Sequence, residues 1–171
     1  MKAHTEERAY TRTSGPKRLP VQAPPLCRVQ LIKERRRVIG EPISGPEEAY
    51  AIFSPLIEFA DREHFAVILM DSPGRPLGVH IAHTGTLSMA LVGAREIFRV
   101  AILANAASVI LSHSHPSGDT KPSPEDLTAT ENLVKAGYLL DIPVEDHLIL
   151  GDGEWLSLRR SHPKLFRSGG H

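Results

Sequence analysis

The chain is 171 residues long, 41% hydrophobic and formally neutral, which fits one domain of roughly 120–140 residues with a tail. The neutrality hides an asymmetry: residues 1–37 carry ten Lys/Arg against three Glu, and the remainder ten Lys/Arg against seventeen Asp/Glu. Cys27, the single cysteine, excludes an internal disulfide and a thiolate-rich metal site, and no apolar run reaches the roughly 18 residues of a membrane-spanning helix. The polar N-terminus has no apolar signal-peptide core, so the expected compartment is the reducing cytoplasm.

Residues 1–43 contain Pro16, Pro20, Pro24 and Pro25 among basic and small polar residues, a composition that reads as a flexible basic arm. Such an arm either keeps the protein solvated or contacts nucleic acid or another acidic surface. Leu26–Ile39 could form an edge strand, though Arg35, Arg36 and Arg37 argue against a central one. The folded domain is expected over 44–160, with a short basic tail over 161–171.

Pro46, Glu47 and Glu48 suit the start of a helix. Ala49, Ile52, Phe53, Leu56, Ile57 and Ala60 then give it one apolar face, with a kink or break expected at Pro55. Phe65–Asp71 and Leu77–His83 read as two strands around the turn Ser72-Pro73-Gly74-Arg75. A second helix is expected over 92–104 and a buried strand over Ser108–Ser112. A third helix should run from Pro124 to Ala136 and be capped at Gly137. Val144 and His147–Leu150 form another strand, and Gly151-Asp152-Gly153 turns the chain into a hairpin with Glu154–Leu158. Helices alternating with strands, plus hairpins, predict an α/β (α+β) domain: a mixed sheet flanked by helices.

One run carries the chemistry: His113-Ser114-His115-Pro116-Ser117-Gly118-Asp119-Thr120-Lys121-Pro122-Ser123-Pro124-Glu125-Asp126. Residues i and i+2 of a strand share a face, so His113 and His115 would present both rings to one point. Asp126, on the first turn of the next helix, could fold back as a third ligand. Two His, one Asp and a water would fill a tetrahedral zinc site. Ser123-Pro124-Glu125-Asp126 also reads as a plain helix start, with Ser123 as N-cap and Asp126 as capping-box partner. A hydrolytic site would further need a base. Glu63, just ahead of the first strand, and Glu96, beside Arg95 on the second helix, are the candidates, and spacing does not choose between them. The loop offers Asp119 and Glu125 but no second histidine cluster, which disfavours a two-metal nuclease.

The run His113-Ser114-His115-Pro116, six residues, then Ser123-x-x-Asp126 resembles the JAMM motif of the MPN/JAB metalloprotease superfamily. Gly85-Thr86, Arg95-Glu96-Ile97-Phe98, Pro122 and Asp146-His147 extend the resemblance to the RadC branch over about residues 45–160. The resemblance implies a JAB/MPN fold, related to that of cytidine deaminases. It implies zinc ligands His113, His115 and Asp126, and a Ser123 that helps hold the tetrahedral intermediate. The superfamily's glutamate precedes a hydrophobic strand, which favours Glu63 over Glu96. The substrate would be an unidentified protein or peptide. His147 has no role in the motif and is expected to be structural. RadC proteins usually read His-Asn-His-Pro, where this chain has Ser114. They also carry a helix-hairpin-helix module ahead of the domain, which this chain is expected to lack, as in short forms on mobile elements. A DNA-associated accessory role through the basic arm is the competing expectation.

Overall fold

The computed structural model describes residues 40–85 and 92–167. Most of the expected basic arm, and the edge strand read over 26–39, lie outside these residues. Helix α1 (Pro46–Ile57) is followed by strands β1 (His64–Met70) and β2 (Pro76–Thr84), then α2 (Ala94–Leu103), β3 (Ser108–Ser114) and α3 (Pro124–Leu139). Strands β4 (Val144–Gly151) and β5 (Glu154–Ser157), the short helix α4 (Leu158–Ser161) and a 3-10 turn (Pro163–Phe166) complete the order.

The five strands form one mixed sheet in the order β2-β1-β3-β4-β5. Only β3 and β4 are parallel, joined across α3; the other neighbours are antiparallel. Strand alternation divides the apolar residues between two layers. Ala66, Ile68, Met70 and Ile110 pack with Ala49, Phe53 and Ile57 of α1. Phe65, Val67, Leu69, Val109 and Leu111 pack on the opposite face with residues of α2 and α3, among them Ile97, Phe98, Ala129 and Leu133. The central strand β3 is buried at all seven positions, as a strand covered on both faces must be.

Three expectations change. Helix α1 is not broken at Pro55, which lies inside it. Pro55 and Ala51 are both exposed, so the Ala51 carbonyl that loses its intrahelical donor can turn to water. Strand β3 runs two residues beyond Ser112 and takes in His113. Helix α3 does not stop at Gly137 but continues to Leu139, and the residue with positive φ is Asp141, at 55°. The Ile142 N–H closes this end on the Gly137 carbonyl at 2.9 Å, and the Asp141 N–H on that of Tyr138 at 3.3 Å, a Schellman arrangement.

Gly137 is required for another reason. A Cβ there would stand 2.6 Å from the Ile142 carbonyl oxygen and 3.0 Å from Cζ of Phe98. Gly137→Ala is therefore expected to destabilise the domain by about 1–3 kcal/mol, as overpacking does. Gly78→Ala, with nothing within 4 Å of its new methyl, should be neutral or slightly stabilising. Urea unfolding of the two variants checks the contrast, and equal midpoints would refute it.

Candidate metal centre

Three elements converge at the end of β3. His113 lies in the strand, and His115 is held just past its end because its N–H donates to the Leu150 carbonyl at 2.8 Å, continuing the pairing with β4. The intervening Ser114 faces away; its Oγ accepts the His64 N–H at 3.1 Å. Asp126 begins the buried stripe of α3 that continues through Ala129, Thr130, Leu133, Val134 and Gly137. Helical spacing thus turns its carboxylate inward. The loop between is pressed against the β4–β5 hairpin, where a Cβ at Gly151 would come within 2.5 Å of the Gly118 carbonyl oxygen.

The ligand atoms of His113, His115 and Asp126 all lie within 4.8 Å of one another. His113 Nε2 is 2.9 Å from His115 Nε2. Asp126 Oδ1 is 3.4 Å from His113 Nε2, and its Oδ2 is 3.5 Å from His115 Nε2. The side chain of His113 is 0% exposed, that of Asp126 4% and that of His115 19%, so solvent reaches the cluster past His115. Two ring nitrogens and a carboxylate facing one point could hold one divalent cation.

Asp126 also builds its own helix terminus. Its backbone N–H donates to Ser123 Oγ at 3.1 Å, and its Oδ2 accepts the Ser123 N–H at 2.7 Å. The cap reading of Ser123-x-x-Asp126 holds, and the same geometry leaves the carboxylate facing both imidazoles. Burial opposes charge on this carboxylate. The facing imidazoles of His113 and His115 and the Ser123 contact together outweigh burial and hold its pKa far below the usual carboxylate range. The Asp126 carboxylate raises the pKa of His115 against burial, helped by the Asp119 carbonyl 2.6 Å from Nδ1 and by the charge of Glu63.

Glu63 precedes β1, where Phe65 pairs with His113. Continuing that antiparallel register sets Glu63 across from His115. Its backbone carbonyl accepts the Gly85 N–H at 3.0 Å, fixing the chain there. Glu96 sits at the start of α2, its Oε2 2.7 Å from where a Cβ of the N-cap Gly93 would stand. It is the acidic residue of the first turn of α2, and the carboxylates whose charge acts chiefly on His115 are Asp126 and Glu63.

His147, expected to be structural, touches the centre. It is fully buried, with Nε2 2.8 Å from His113 Nδ1 and Nδ1 2.7 Å from Thr130 Oγ1. Burial, then the neighbouring His113, pushes its pKa well down, so the ring is neutral. Thr130 was not foreseen at all. The available signal was its position four residues after Asp126, one turn along the same helix face. Asp146 anchors the backbone at this point: its carboxylate accepts the N–H of His147, the hydroxyl of Ser157 and the N–H of Arg159.

A mixed-sheet α/β domain with a His-His-Asp cluster at the end of its central strand matches one family model. The chain belongs to the RadC-like JAB domain family, whose model covers residues 43–163. Similar proteins include the UPF0758 protein tlr1707 of Thermosynechococcus vestitus, 44% identical over 71% of this chain and 48% of its own length. A UPF0758 protein of Methanosarcina acetivorans is 38% identical over 76% of this chain and 58% of its own, and one of Chloroflexus aggregans 41% identical over 69% and 52%. The chain thus spans about half the length of the curated relatives it matches. Among the described residues no helix is long and apolar enough to cross a membrane.

Protons compete for the ligand atoms. Asp126 has its pKa pushed down, away from the neutral range, whereas His115 must lose a proton whose pKa lies above the ordinary 6.5. Affinity for an added divalent cation should therefore be level in mild alkali and fall as pH drops through neutrality. Calorimetry at pH 8 and pH 5.5 reads this directly; equal affinities would rule out His115 as a ligand.

Proposed function

We propose that this domain is a zinc-dependent amide hydrolase acting on a protein or peptide. The observation that carries the reading is the convergence of His113, His115 and Asp126, with Glu63 just ahead of the adjoining strand and its charge acting on His115. Ligands roughly 2.0–2.1 Å from a tetrahedral zinc stand about 3.4 Å apart. The His–Asp separations, 3.4 Å to Oδ1 from His113 and 3.5 Å to Oδ2 from His115, are of that size but run to different oxygens, so the carboxylate would turn to offer one of them, and the His–His pair at 2.9 Å would open by about half an ångström. Two imidazoles and a single carboxylate suit zinc better than magnesium or calcium, which take mainly oxygen. Zinc bound there would supply a Lewis acid and bring the pKa of its water towards about 7.

The chain's own residues supply the rest. Glu63 takes the proton of the attacking water and returns it to the leaving amine. Ser123 Oγ already accepts the Asp126 N–H, so its hydroxyl proton is free to donate to the oxygen that gains charge. His115, at the solvent side of the cluster, marks the direction from which a scissile bond approaches.

Glu63→Gln keeps the shape and removes the base. Incubation with a proteome-derived peptide library, read by mass spectrometry, should show cleavage by the zinc-loaded protein and a loss of about 100-fold or more in the variant. Zinc content should be unchanged. Undiminished cleavage by Glu63→Gln would overturn the role given to Glu63, and no cleavage by the parent would count against the peptidase reading.

A further inference from the structure

A metal-binding histidine works only if its proton is on the other nitrogen. For His115 the matter is settled locally, because Nδ1 faces the Asp119 carbonyl at 2.6 Å. A carbonyl can only accept, so Nδ1 carries the proton and Nε2 is left for the cation. His113 has no such partner. Its Nδ1 faces His147 Nε2, and an imidazole nitrogen can either donate or accept. The contact alone is compatible with either tautomer.

The polarity is decided two steps further along. Thr130 Oγ1 lies 2.6 Å from the carbonyl oxygen of Asp126 and 2.7 Å from His147 Nδ1. The hydroxyl has one proton, and the carbonyl has none to offer. Thr130 therefore donates to Asp126 and accepts from His147 Nδ1–H. His147 is 0% exposed and its ring faces a hydroxyl and another ring nitrogen, not a carboxylate, so it holds a single proton; with that proton on Nδ1 it has only a lone pair at Nε2, and His113 must donate to it from Nδ1. The lone pair of His113 is left on Nε2, the atom 3.4 Å from the Asp126 carboxylate. The opposite polarity would leave the Asp126 carbonyl without the hydroxyl and place a proton where the cation belongs.

We infer that His147 and Thr130 are positioning residues that set the tautomer of His113: the chain Asp126 C=O, Thr130 hydroxyl, His147 ring, His113 Nδ1–H keeps Nε2 open for a metal ion. Asp126 stands at both ends of this chain, with its carboxylate at the cation and its carbonyl as the terminal acceptor. The residues concerned are 0% exposed at His113, Thr130 and His147 and 3% at Asp126, so water does not compete for the hydrogen bonds. The inference rests on the metal reading above but needs no substrate.

The test measures zinc affinity by competition with a chromophoric chelator, together with nitrogen-15 NMR of the imidazoles in the zinc-loaded protein. In the parent, His113 and His147 should both carry their proton on Nδ1. His147→Leu, which removes the acceptor, should weaken zinc binding about 10–100-fold. His147→Gln, which retains a carbonyl at that reach, should recover most of the loss. Thr130→Val keeps the shape, removes only the hydroxyl, and should weaken zinc binding in a protein that still folds. A purely structural role would lower the stability of both His147 variants without separating their zinc affinities. Zinc binding in Thr130→Val and His147→Leu within twofold of the parent, or a proton on Nε2 of His147, would overturn the inference and leave the peptidase reading intact. A parent that binds no zinc would overturn both, whereas tight zinc binding without cleavage would sink only the peptidase.

Discussion

Asp126 is the group on which the site depends. A carboxylate almost withdrawn from water is costly unless every lone pair is engaged. This one takes the Ser123 N–H and faces two imidazoles, while its own N–H secures the Ser123 hydroxyl. The same side chain thus starts α3, fixes the angle at which the loop enters it and completes the cluster. Its position at the head of the buried stripe makes this unavoidable, since whatever stands there points at the end of β3.

The sheet supplies the other half of the geometry. Alternation along β3 sends His113 to the face covered by α2 and α3 and Ser114 to the face covered by α1. Ser114 therefore acts on strand pairing, through the His64 N–H, and not on the cluster. The parallel pairing of β3 with β4 brings His147 beside His113, and the antiparallel pairing with β1 brings Glu63 beside His115. One central strand with different neighbours on its two sides gathers the His-His-Asp cluster, the ring that supports it and the glutamate across from it.

The parts of this arrangement set by local pattern were legible in the sequence. The period of two at His113 and His115, the Ser-Pro-x-Asp helix start, and the Asp152-Gly153 turn, with φ of 45° and 84°, are all properties of neighbouring residues. Contacts set by tertiary packing were not. Gly137 offered the pattern of a helix cap, but the glycine answers to Phe98 and Ile142, and the terminus falls at Asp141. His147 stands 34 residues from its partner His113, and only the strand register relates them. Glu63 and Glu96 were indistinguishable by spacing. The register of β1 on β3 carries the Glu63 backbone to a position across from His115, on which its charge acts, while Glu96 stands in the first turn of α2.

The supports and ligands of the centre all come from the single β3–α3–β4 segment, whereas Glu63 arrives on β1, from the other side of the sheet. The His-His-Asp cluster and the glutamate across from it are therefore lodged in separate pieces of chain. Any change in how the β1–β2 hairpin seats against β3 would shift Glu63 relative to the cluster, while the β3–α3–β4 segment holds the cluster itself together.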